Sequence, residues 1–339
     1  MRNTKAYGIF LFICITSFFF THAQGFTSED SGSTEECEEP EEAEVVGGKN
    51  SKMFDDSCWY CAAGETDCEY ARRRGLTGIW LPETPQPFRP FIADPRQVTY
   101  SVGWRFNDEM LGKNLVDVSY GESLPVYRWC NLWYFGGDLQ FEIEGALWAV
   151  FSPLKESAPL IDADYYVGFP ITYVFGDWAI RLRGYHISTH IGDEFLLTHP
   201  KFRRRNPSNE YFDLFFSYQF TNDIRLYGGI GWIACQDDSF RVSPFYSETG
   251  LELRMRELRY CSINNRLYGE PFLAMNFRFS PEYKHHLDST YALGYEWGKI
   301  SGLRRKLRVF LEYHDGYSLE GQFCCFPTKY LSVRCTYGF

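Results

Sequence analysis

Apart from one stretch near its N-terminus, the sequence has no run of about 20 apolar residues, the length a helix needs to span a bilayer. This favours a barrel over a helical membrane protein. A basic excess is also missing. The formal net charge is −10, and the acids concentrate in residues 24–70, where 14 carboxylates face only Lys49 and Lys52. Residues 71–339 balance at 30 acids and 30 bases, so no global basic face argues for nucleic acid. Walker, Rossmann and zincin motifs are absent. The cluster Gly228-Gly229-Ile230-Gly231 falls inside a strand pattern, where glycine more often accommodates packing or twist than a phosphate. A second CxxC is lacking too. Cys58, Cys61 and Cys68 (C-x2-C-x6-C) have no histidine nearby, which favours disulfides or crosslinks over zinc.

What the chain does have is aromatic residues, at 19% of 339, combined with a mildly negative mean hydropathy. A transmembrane barrel produces that combination, because its apolar residues come one in two. The single apolar run, Gly8–Phe20, follows Arg2 and Lys5 and precedes Thr21-His22-Ala23. This is the pattern of a secretory signal peptide cleaved after Ala23; an N-terminal anchor helix is the alternative. Export places the remaining ten of 11 cysteines in an oxidising compartment.

Four segments follow: a signal peptide (1–23), an acidic disordered linker (24–57), a Cys- and Pro-rich periplasmic segment or plug (58–95), and a barrel (96–339). The linker is too acidic and too poor in aromatics to order itself. A short helix is expected near Glu69–Arg74, then irregular chain. From Arg96 onward, alternating segments recur between turn residues. The reading is all-β, an antiparallel up-and-down transmembrane β-barrel of about twelve strands. These run roughly over 97–107, 114–129, 137–152, 161–174, 178–191, 208–220, 223–235, 244–256, 264–280, 287–298, 306–317 and 329–339. Ten or fourteen strands also fit, as does a soluble β-sandwich or propeller.

The last segment alternates without a break. Leu331, Val333, Cys335, Tyr337 and Phe339 share one face; Ser332, Arg334, Thr336 and Gly338 share the other. A chain ending in such an aromatic strand resembles the assembly signal of bacterial outer-membrane barrels. The resemblance implies a bacterial outer-membrane location and a barrel-assembly machinery that engages the strand ending at Phe339.

The same alternation sets a register for earlier strands. In 178–191, charge on the lipid face is costly, so Arg181 and Arg183 must face the lumen. Trp178, Ile180 and Leu182 then face lipid, with His186, Ser188 and His190 above them on the outer face. In 208–220, Phe212, Leu214, Phe216, Tyr218 and Phe220 face lipid, and Glu210, Ser208 and Asn206 continue that face. His186 lies eight residues above Trp178, roughly 20 Å along a tilted strand, near the rim of an apolar band about 25 Å tall. A serine, a histidine and a carboxylate converging there is what nucleophilic catalysis needs.

The His186-Ile187-Ser188 sequence resembles the H-x-S of outer-membrane phospholipase A and of lipid A deacylase. By that resemblance Ser188 is the nucleophile, His186 the base and Glu210 the orienting group, with Asn206 or Asn209 as alternatives. The Asn-Gly that follows the serine in the phospholipase is absent, and no oxyanion donor beyond a backbone amide is evident.

Three further stretches, Phe88-Arg-Pro-Phe-Ile-Ala-Asp-Pro-Arg96, His186–Glu194 and Asn206–Glu210, resemble a bacterial family called domain of unknown function 1207, over roughly residues 75–339. That family implies a barrel and an envelope location but no activity.

Lys201, Arg203, Arg204 and Arg205 suit the phosphates of lipopolysaccharide or of a phospholipid headgroup, since Arg forks pair with phosphate oxygens; a solvated basic loop is the plain alternative. No cofactor is expected. His190, Asp193 and Glu194 read as the start of a polar loop, with a divalent cation as the alternative. Competing with the hydrolase are a small channel using Arg181 and Arg183, and an envelope barrel crosslinked through its cysteines to other proteins.

Overall fold

The computed structural model describes residues 66–83, 87–132, 136–262, 267–281, 287–299 and 305–338. The expected signal peptide and acidic linker, Cys58, Cys61 and Phe339 lie outside these residues.

The described chain begins with helix α1 (Asp67–Arg73). Thr66 and Glu69 form a reciprocal capping box at its start, which satisfies two amide donors that the first turn leaves without partners. Strand β1 (Gly78–Trp80) follows. The barrel then forms from β2 (Tyr100–Asp108), β3 (Gly112–Leu132), β4 (Gly137–Phe151), β5 (Leu160–Phe175), β6 (Trp178–Ile191), β7 (Ser208–Gln219), β8 (Ile224–Gln236) and β9 (Phe245–Arg254). A three-residue β10 (Tyr260–Ser262) precedes β11 (Leu267–Phe279), β12 (Asp288–Lys299), β13 (Lys306–Tyr317) and β14 (Pro327–Gly338). Helix α2 (Asp193–Thr198) sits between β6 and β7.

Every barrel strand pairs antiparallel with its neighbours in sequence, and β14 pairs with β2 to close the ring. With β1 and β10 set aside as short additions to β3 and β11, the ring has twelve strands. The twelve expected segments correspond one to one with these strands. The two three-residue strands were not expected; they are too short to show a period.

Burial is inverted relative to a soluble sheet. On β13, Leu307, Val309, Leu311 and Tyr313 are exposed, while Lys306, Arg308, Phe310, Glu312 and His314 are buried. β14 repeats this with Leu331, Val333 and Tyr337 outside and Tyr330, Ser332 and Arg334 inside. Exposed leucines alternating with buried arginines need an apolar solvent outside, which is the pattern of a transmembrane barrel. A soluble sandwich or propeller is ruled out by the closed ring and by this inversion.

Four of the connections at one end are long, although 109–111 at that end is short and 255–266 at the other end is long. Residues 176–177 join β5 to β6, with Gly176 at φ +55° as the tight turn requires, and 220–223 join β7 to β8. At the opposite end lie the longer connections 152–159, 192–207, 237–244 and 318–326.

The lumen is filled. Phe88 and Phe91 pack on Val174, Ala179, Phe215 and Tyr227, and the Phe91 and Tyr227 rings stack at 3.7 Å. Ile92 and Ala93 pack on Phe272, Ala274, Ala292 and Phe310. The Arg225 guanidinium donates to the carbonyls of Arg89 (2.7 Å) and Pro90 (3.3 Å), and the Ile92 amide donates to Glu252 Oε1 (2.9 Å). The prolines of this segment leave few amides to satisfy, and the barrel wall supplies partners for those that remain. At the long-loop end, Phe323 packs over Leu115, Val150, Ile161 and Ile191, flanked by Phe195 and Phe202.

Candidate functional site

The outward register predicted for β6 and β7 is present. Ala179, Arg181, Tyr185, Thr189 and Ile191 are buried inward, so Leu182, His186, Ser188 and His190 project outward. On β7, Asn209, Asp213, Phe215, Ser217 and Gln219 are buried, leaving Glu210, Phe212 and Phe216 outside. His186 and Glu210 are direct cross-strand partners, and their side chains meet: His186 Nδ1 lies 3.2 Å from Glu210 Oε1. Both are substantially exposed, at 36% and 50% of their side-chain areas.

Ser188 stands two residues further along the same face, paired with Ser208 on β7 and with Tyr165 on β5. Its hydroxyl has no hydrogen-bond partner among the described residues, so the His186–Glu210 contact is formed and the serine stands apart from it. With Nδ1 occupied by Glu210, Nε2 is the ring nitrogen left for a serine. Val167 flanks His186 on β5, and Tyr165 meets the His190 ring edge-on at 5.3 Å. Below lie Phe169 and Phe212, with Gly184 between them.

The alternatives for the third member behave differently. Asn209 points into the barrel, where its Nδ2 donates to Tyr211 Oη at 3.1 Å. The one-in-two alternation that places Glu210 outside places Asn209 inside. Asn206 is exposed but engaged with the next loop, donating to Asp237 Oδ2 at 3.0 Å and, through its amide, to Ser239 Oγ at 3.1 Å.

Beyond these residues, Lys201, Arg203, Arg204 and Arg205 are exposed in the chain that follows α2, and none forms an ion pair among the described residues. Arg205 is fixed: its backbone exchanges hydrogen bonds with the Gln322 side chain, and its guanidinium lies over Phe240. Asp193 and Glu194 are exposed in the first turn of α2. No third metal-ligating side chain joins them among the described residues.

The zinc alternative fails at Cys68, which is disulfide-bonded to Cys130 across 62 residues. Cys130 was not singled out in the sequence, because it is the pairing of β1 with the end of β3 that brings it beside α1. Cys235, Cys324 and Cys335 form no disulfide among the described residues.

The two arginines assigned to a channel are consumed inside. The Arg181 guanidinium lies over the Phe88 ring at 4.4 Å, and Arg183 Nη2 pairs with Asp213 Oδ2 at 2.6 Å. The inner wall continues as an ion-pair lattice. Arg334 joins Asp117 (2.5 Å) to Glu312 (2.8 Å), and Glu296 gathers Arg254, Lys306 and Arg308 within 3.1 Å.

Residues 65–339 match the model of a family described as protein of unknown function (DUF1207). No curated protein matches the chain in sequence. Solved structures with a similar course include outer membrane phospholipase (OMPLA) from Salmonella typhi, at 11% identity and TM-score 0.46, covering 74% of this chain and 94% of that one. Outer membrane phospholipase A from Escherichia coli scores 0.46 at 10% identity, covering 70% and 92% respectively. LpxR from Salmonella typhimurium scores 0.33 at 10% identity, covering 71% and 100%.

Proposed function

Because the chain belongs to the DUF1207 family, whose description carries no activity, its function has to be read from its own surface; we propose that it hydrolyses acyl esters of outer-membrane lipids on the barrel exterior. The observation that carries this reading is the 3.2 Å contact between His186 Nδ1 and Glu210 Oε1 on the outward face, with Ser188 two residues along that face.

In the reaction, Ser188 Oγ attacks the ester carbonyl while His186 Nε2 accepts the hydroxyl proton. Glu210 holds the Nδ1–H tautomer and stabilises the imidazolium. The lipid alcohol leaves with the proton returned by His186, and water then cleaves the acyl-serine to release a fatty acid and restore Ser188. The separation of Ser188 from the dyad in the free enzyme is compatible with this, since catalytic hydrogen bonds often close only with substrate bound.

Placement supports the assignment to a lipid substrate. The dyad lies directly above an apolar wall of Phe169, Leu182 and Phe212, and below the cations of the 192–207 loop. In this reading Lys201, Arg203 and Arg204 receive the phosphates of a phospholipid headgroup or of lipopolysaccharide, and Arg205 shapes their loop. The long loops then face the cell exterior, the N-terminal segment is periplasmic, and β14 is the strand the barrel-assembly machinery engages.

The filled lumen supports the exterior over the interior as the working surface. Purified full-length protein in mixed micelles is expected to release fatty acid from phospholipid or lipopolysaccharide, and Ser188→Ala is expected to abolish the release. Unchanged release from Ser188→Ala would sink the proposal.

A further inference from the structure

Ser188 sits inside a strand, and that position removes the usual source of oxyanion stabilisation. It is paired on both sides, with Tyr165 of β5 and with Ser208 of β7. The next amide along, that of Thr189, donates to the Pro207 carbonyl at 2.9 Å. Amides held in a ladder lie in the plane of the sheet and are already bonded, so the strand leaves no free amide at Ser188. A negative oxygen forming above Ser188 has to be met by a side-chain donor on the same outward face.

The outward side chains beside Ser188 divide by strand. On the β7 side stand Ser208 and, two residues on, Glu210. A carboxylate there repels a developing oxyanion and turns it toward β5. On the β5 side the direct cross-strand partner is Tyr165, which is 46% exposed. Directly opposed residues on one face have Cβ atoms about 4.5–5.5 Å apart, which brings a phenol within reach of a serine hydroxyl. The Tyr165 ring meets the His190 ring edge-on, at 5.3 Å between centroids, so it leans across β6 rather than away from it. The Tyr165 hydroxyl makes no hydrogen bond among the described residues, which leaves its proton to donate. As a class, phenols donate more strongly than aliphatic hydroxyls such as that of Ser208.

We propose that Tyr165 is the oxyanion donor of the exterior site, an inference that rests on the hydrolase reading above. As the bond from Ser188 Oγ to the ester carbon forms, the carbonyl π pair moves onto its oxygen and the serine proton passes to His186 Nε2. Tyr165 Oη donates a hydrogen bond to that oxygen and keeps its own proton throughout. When the intermediate collapses, the pair returns to the carbonyl, the bond to the lipid alcohol breaks, and His186 protonates the leaving oxygen. Attack of water on the acyl-serine passes through an equivalent oxyanion, which the same phenol meets.

Tyr165→Phe in the full-length protein tests this, because it keeps the ring and its contact with His190 and removes only the hydroxyl. In mixed micelles of phospholipid, kcat for fatty-acid release is expected to fall by about 10²-fold or more, with KM and the unfolding midpoint unchanged. Inhibition by a long-chain alkylboronic acid, whose adduct on Ser188 is tetrahedral, is expected to weaken by a similar factor. A packing role alone would leave both kcat and the boronate inhibition as they are in the parent protein. Parental kcat in Tyr165→Phe, beside an inactive Ser188→Ala, would overturn the proposal and leave the hydrolase standing. A loss of kcat carried instead by Ser208→Ala or His190→Ala would overturn it as well, by placing the donor elsewhere. A parent protein that releases no fatty acid would remove the hydrolase reading itself, and the role of Tyr165 with it.

Discussion

The Arg225 Nη2 donates to the Arg89 backbone carbonyl at 2.7 Å, joining the wall of the barrel to a segment 136 residues earlier in the chain. This contact and the Phe91–Tyr227 stack beside it close the lumen with the protein's own N-terminal chain.

Filling the lumen has an energetic consequence. Phe91 is 2% exposed and touches Phe88, Phe215 and Tyr227. Phe91→Ala is expected to cost about 3–5 kcal/mol, the usual range for a buried Phe cut to Ala. Urea unfolding in detergent measures it, and a midpoint unchanged from the parent protein would show that the segment does not pack as described. The intact protein is correspondingly expected to give no steady conductance in planar bilayers.

The Cys68–Cys130 bond fixes α1 to the end of β3 and closes a long loop. Loop-closure entropy for a span of 62 residues corresponds to about 4 kcal/mol as an upper figure. Cys130→Ser is expected to lower stability by up to that amount and to make the chain near α1 accessible to protease. Equal proteolysis patterns for the two proteins would contradict this.

Glu320 sets an acid limit on the cap. Burial alone would raise its pKa, but Arg105 and Arg96 beside it outweigh burial and hold it below its ordinary value of 4.5. A carboxylate lowered on folding contributes stability above its unfolded pKa and loses it as pH falls through the folded one. The parent protein is therefore expected to be more stable than Glu320→Gln at pH 7. That gap should close as pH drops below 4.5. A gap independent of pH would show that Glu320 carries no charge in the folded protein.

Glu210 separates a catalytic role from a structural one. It is half exposed, so Glu210→Ala is expected to change stability by no more than about 0.5 kcal/mol. Its effect on ester hydrolysis is expected to be large, at least about 10²-fold in kcat, because the imidazole loses its tautomer and its counter-charge. Steady-state rates alongside unfolding midpoints distinguish the two roles. Loss of rate with an equal loss of fold would assign Glu210 to the scaffold.

Much of this was legible in the strand pattern. The alternation of β13 and β14, with Leu307, Val309 and Leu311 against Arg308 and Glu312, declares the solvent outside, and the same parity carries His186 and Glu210 to one face. It also excludes Asn209, which alternation alone was enough to turn inward. The rest depends on contacts between distant segments. Phe88–Arg96 reads as irregular chain because its prolines erase any period; its burial comes from Tyr227, Phe272 and Phe310, far along the sequence. Cys130 is chosen over the other cysteines by the pairing of β1 with the end of β3.

The most direct test of the exterior site is covalent. Full-length protein treated with an alkyl fluorophosphonate and mapped by peptide mass spectrometry is expected to carry the adduct on Ser188, and to lose it in His186→Ala. An unmodified Ser188, or an adduct that forms equally without His186, would contradict a serine activated on the outer face of the barrel.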